Sequence, residues 1–82
     1  MTLTKAIEQQ IIAVLNRDFK EIEPNAFKVK TVIDTARFMF DDELWFDATV
    51  TAGIKTFFVE GSFSLKRFEL LGYVYELDEG II

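Results

Sequence analysis

Histidine and cysteine are both missing from the 82 residues of this chain. Without them there is no imidazole base, no thiolate nucleophile, no Cys/His zinc ligation and no disulfide, which removes most catalytic constellations. Proline occurs once, at Pro24, and the four glycines (Gly53, Gly61, Gly72, Gly80) are isolated, so no glycine-rich phosphate loop can be assembled. Long apolar runs are lacking as well. The longest uncharged stretch, residues 9–16, is far short of the roughly 20 apolar residues of a spanning helix. Glu8, Gln9 and Gln10 follow Lys5 where a secretion signal would place its apolar centre. The reading is therefore a cytoplasmic chain with no membrane partner.

Basic charge is scarce in the second half. Up to Arg37 the chain holds six bases and five acids, and from Phe38 onward three bases and nine acids, for a net charge of −5. Phosphate contacts need a basic stripe, so direct nucleic-acid binding is not expected. Lys28 and Lys30, with Lys20 nearby, form the one basic cluster and read as a solvated edge strand made unattractive to other strands. The compact run Asp41-Asp42-Glu43 lacks the alternating ligands of a calcium loop and reads as a hairpin turn. Ser62 and Ser64 have no histidine to activate them. No catalytic residue, cofactor or metal is assigned.

What the chain does have is aromatic side chains: nine Phe, two Tyr and one Trp, most of the Phe lying between Phe38 and Phe68. A chain this short buries only about 60–65% of its unfolded surface. With no disulfide available, dense ring packing, each ring burying roughly 150–250 Å², or self-association must supply stability.

A single domain, residues 1–82, is expected. Thr4 is a candidate N-cap, and Ile7, Ile11, Val14 or Leu15, and Phe19 recur at helical spacing, which predicts a helix over about 4–18. The charged segment before Pro24 reads as the connection to a sheet over about 27–77, followed by a short acidic tail, 78–82, whose final Gly80, Ile81 and Ile82 either fray or dock. From Phe27 the period becomes two. The run Phe27, Val29, Thr31, Ile33 is out of phase with Ala36, Phe38, Phe40, so a bulge is predicted near Asp34 and Thr35.

A loop at residues 41–43 would set Phe40 opposite Leu44, Phe38 opposite Phe46, and Arg37 beside Asp47. A turn centred on Ala52 and Gly53 would pair Ala48 with Phe57, Trp45 with Glu60 and Asp47 with Phe58. Residues 62–71 fit either a short helix or an irregular strand, and a last strand follows over 71–77. The fold class is α+β: an N-terminal helix on one face of a three- to four-stranded antiparallel meander.

One sheet face, with Phe38, Leu44, Phe46, Ala48, Phe57 and Val59, is apolar enough to receive the helix. The second carries Met39, Trp45, Ile54 and Phe58 among Asp47, Thr49 and Glu60, the composition of an interface centre with its rim. Four readings follow. A second copy, forming a homodimer, or another protein covers that face and makes the chain a non-enzymatic interaction module. Residues 62–71 fold back over Trp45 and Phe58. A small apolar ligand sits between Trp45 and Phe58, fixed by Thr49, Asp47 or Glu60. Or the carboxylates present a phosphate-like field, and the chain acts as an acidic decoy for a nucleic-acid-binding protein.

Overall fold

The computed structural model describes residues 4–39 and 42–79. Helix α1 (Lys5–Ile22) begins as the sequence predicts, with the Thr4 Oγ1 accepting a hydrogen bond from the Ile7 N–H at 3.3 Å. Ile7, Ile11, Leu15 and Phe19, one every four residues, form its buried stripe. The helix runs one turn past the predicted end. Pro24 restricts only the residue before it, and the Glu23 N–H still reaches the Phe19 carbonyl at 2.9 Å, so the turn that carries buried Phe19 is completed.

Four strands follow, β1 (Val29–Met39), β2 (Glu43–Ala52), β3 (Lys55–Ser64) and β4 (Glu69–Asp78), in one antiparallel sheet of order β1-β2-β3-β4. The register between β1 and β2 shifts between Ile33 and Thr35, so the bulge falls where the change of phase required it. A second irregularity lies between Ser62 and Phe63, where Leu71 on β4 is left without an opposite residue.

Both hairpin tips lie one residue from their predicted places. Ala52 pairs with Lys55, so the turn is Gly53-Ile54 rather than Ala52-Gly53. The reason is stereochemical. Gly53 has φ +65° and Ile54 has no positive φ, the pattern of a turn that demands glycine at its first central position. On the other side Met39 pairs with Glu43, so Glu43 belongs to β2 rather than to the loop, where its carboxylate accepts from the Trp45 indole at 2.6 Å. Phe40 and Asp41, with their expected places in the first hairpin, lie outside the described residues, as do the last three residues of the tail.

Each correction moves the register by two residues, so the side chains that remain in the strands keep their face and change their neighbours. Phe38 meets Leu44, Ala36 meets Phe46, and Arg37 lies opposite Trp45. Residues 62–71 form neither a helix nor a flap. They end β3, turn through 65–68 with the Ser64 Oγ accepting from the Arg67 N–H, and begin β4 in the same sheet. Phe68 takes a left-handed φ of 53°, uncommon for a bulky residue, and its ring meets Phe63 edge-on at 5.3 Å.

The core lies between α1 and one sheet face. Leu44, Phe46, Ala48, Val50 and Ala52 of β2 and Phe57, Val59 and Phe63 of β3 are all buried beneath the helix stripe. Phe19 is its aromatic centre, with ring centroids 5.1 Å from both Phe57 and Tyr75. Polar contacts tie the helix to both outer strands: the Thr31 hydroxyl donates to Asn16 at 2.7 Å on β1, and the Tyr73 hydroxyl to Asp18 at 2.9 Å on β4. Burial first, and then that bond to Asp18, push the Tyr73 hydroxyl from 10.0 up to about 12. Gly61 has a separate constraint. A Cβ there would stand 2.7 Å from the Phe46 ring, so only glycine lets β3 pass beneath that residue.

Candidate functional site

The second face of the sheet is open: no described element packs over it. Trp45 keeps 43% and Phe58 47% of their surface in solvent, and Met39 on β1 is exposed beside them. The flap reading is thus excluded for residues 62–71, which extend the sheet instead of covering it. Ile54, expected on this face, occupies the β2–β3 turn and is fully exposed there, away from Trp45. Phe27, expected in the first strand, precedes β1 and is also fully exposed.

The observed register rearranges the open face. Trp45 lies opposite Ser62, whereas Phe58 lies opposite Thr49, four residues back along β3. At about 3.3 Å per residue the two rings are therefore separated by roughly 13 Å along the strand, too far to wall one small pocket. Between them stands a direct pair of exposed carboxylates, Asp47 opposite Glu60. The register expected from the sequence, with Trp45 opposite Glu60 and Arg37 beside Asp47, is replaced here by a direct carboxylate pair and by Arg37 opposite Trp45. In the structure Asp47 is held by the Thr35 hydroxyl at 2.8 Å.

Asp34, freed from the ladder by the bulge, accepts from the Thr49 hydroxyl at 2.7 Å and so turns its carboxylate to the same face. Glu76, on the same face, lies opposite Phe58. The result is an acidic band across the sheet, Asp34, Asp47, Glu60 and Glu76, one from each strand, with Asp34 and Glu76 displaced towards the row of Thr49 and Phe58. On one side of it lie Trp45 and Met39 with Arg37. On the other lie Phe58, Thr49 and Val32. Among the described residues no three carboxylates converge closely enough to hold a metal ion, so the negative charge is spread along the band.

Three shallow hollows dent this face around the carboxylate pair, of about 120, 220 and 250 Å³, and Glu60 lines all three. Each of these is smaller than the 300–1,000 Å³ typical of a small-molecule site, and a hollow of about 370 Å³ lies apart from them, beside Phe27, Lys30 and Thr51. Val74, 69% exposed and opposite Glu60, is the most exposed apolar residue within the sheet and was missed at the level of sequence. Its signal was present, since Val74 alternates with Tyr73 and Tyr75. Only the pairing of β4 with β3 joins it to Glu60. A scan of protein-family models and searches of curated proteins and of solved structures each found no match to this chain.

Proposed function

We propose that the chain is a non-enzymatic interaction module whose open sheet face docks onto another protein, one that offers Lys or Arg side chains between apolar ones. The observation that carries this reading is the half-exposed pair Trp45 and Phe58 on a face that no described segment of the chain covers. Aromatic residues around a polar centre are the composition of an interface hot spot. The sign of the partner follows from the band. A second copy laid face to face would meet the band with a face of the same acidic excess, and juxtaposed like charges cost several kcal/mol. A basic partner meets the same band with complementary charge.

The decoy reading is the special case in which that partner is a nucleic-acid-binding protein. What supports it is the presence of Asp47, Glu60 and Glu76 on three successive strands of one face, whereas Glu43 and Glu69 lie at the far end of the sheet. The reading of a ligand between Trp45 and Phe58 is the weakest, because the hollows beside them are small and the two rings stand apart.

The single tryptophan sits in the proposed contact, so its fluorescence reports on it directly. Three helical peptides of equal apolar content, with basic, neutral or acidic polar faces, would be titrated against the chain. The basic peptide is expected to shift Trp45 emission to the blue, with an affinity that falls as salt is raised. Glu60→Lys and Phe58→Ala should each weaken it about tenfold or more. Equal binding of the acidic peptide, or no change in emission with any of them, would overturn the proposal.

A further inference from the structure

The two outer strands, β1 and β4, each leave one edge of the sheet without a strand neighbour among the described residues, and the two edges differ in sign. Near its start β1 carries Lys30, exposed, just after Lys28. In β4 there is no basic residue between Glu69 and Asp78, and Glu76 is exposed. Edges are normally blunted by charge, bulges or short length. Here β1 is bulged at Asp34, whereas β4 runs regularly beyond Leu71 and keeps Val74 and Leu77 69% and 44% exposed.

From this we infer that β4 of one copy pairs antiparallel with β1 of the next, continuing the sheet from molecule to molecule. This inference uses the edges and needs no partner on the open face, although Glu76 belongs to both surfaces, so Glu60→Lys, which alters the open face alone, should leave self-association unchanged. If the helices are to stay on one side of a continued sheet, only every second register is allowed. One of these sets Glu76 opposite Lys30, Val74 opposite Val32 on the same face, and Leu77 opposite Val29 on the helix side. Opposite charges and apolar pairs then fall together across the junction. Shifting by two residues either way sets Val74 against Lys30 or against Asp34. The irregularities at Asp34 and Leu71 both lie at the end of the paired segment, so the stretch between is regular.

Pairing like edges does not achieve this. In any β4–β4 register Glu76 finds no base on the facing strand, and the β1–β1 register that sets Lys30 opposite Asp34 places the bulge of both strands inside the paired segment. The junction joins two different surfaces, so repetition gives a closed ring or a filament rather than a two-fold dimer. All copies then present their open faces on one side.

Sedimentation of the full chain over a wide concentration range, at low and high salt, tests the inference. The wild type is expected to grow beyond a dimer or into a ring, more readily at low salt, with Trp45 emission unchanged. Lys30→Glu and Glu76→Lys should each weaken association about tenfold or more. A 1:1 mixture of the two variants, and the double variant alone, should recover it, because every junction again joins opposite charges. Both positions are exposed, and circular dichroism of each variant checks that it folds. A wild type that stays monomeric at the highest concentration, or a dimer with altered Trp45 emission, would overturn the inference. So would association that ignores both substitutions, or a double variant that fails to recover it.

Discussion

Along β2, Leu44 and Phe46 are at most 3% exposed, whereas Trp45 between them keeps 43% of its surface in solvent. All three are large apolar side chains on one strand, and only the side of the sheet differs. The covered side is sealed by a single helix stripe, and its residues interlock: Phe19 against Phe57 and Tyr75, Gly61 beneath Phe46. The open side carries two large rings, Trp45 and Phe58, and divides them with Asp47 and Glu60. Apolar content alone therefore does not mark the core of this protein. Contiguity does, because burial pays only where apolar neighbours are uninterrupted and no charge must be desolvated with them.

The largest break in this comparison comes from the covered side. Phe19→Ala removes the ring at the centre of the core and should cost about 3–5 kcal/mol, a large share of the total stability of a small domain, read as a drop in the urea midpoint. Gly61→Ala attacks the same layer by overpacking. With the Phe46 ring in the way it should cost about 1–3 kcal/mol, measured in the same denaturation series.

Tyr73→Phe probes the rim of that layer, where the hydroxyl is bonded to Asp18. Its loss should cost about 1 kcal/mol at neutral pH. The sign of the pH effect follows from the raised Tyr73 value. The folded chain holds the proton up to about pH 12 while the unfolded chain releases it near 10.0, so stability is present below pH 10 and lost as pH climbs between those values. Tyr73→Phe should flatten that alkaline loss, as thermal unfolding followed between pH 9 and 12 would reveal. On the open side Trp45→Ala should lower stability by about 1 kcal/mol or less, because the side chain is already half in water. A cost as large as that of Phe19→Ala would erase the distinction between the two faces.

Much of this architecture is legible in the residues. The N-cap at Thr4 and the four-residue recurrence of isoleucine, leucine and phenylalanine are local signals, as is the change of phase at Asp34 that forces a bulge. Face membership survives because strand parity does not change when a hairpin tip moves by one residue. The candidate site was legible as a set, with Trp45, Phe58, Asp47, Thr49 and Glu60 on one side, but not as an arrangement. Placing Gly53 at the first rather than the second central turn position exchanged the neighbours of all five.

By itself the sequence determined which side chains share a face and where the helix begins, because those depend on periods of two and 3.6 residues and on contacts a few positions apart. Tertiary structure alone decided three things: that Asp47 meets Glu60, that residues 62–71 lengthen the sheet instead of folding over it, and that β4 ends as an exposed acidic edge. Each depends on strand pairing between distant residues, where turn stereochemistry and core packing select among registers that alternation leaves equivalent.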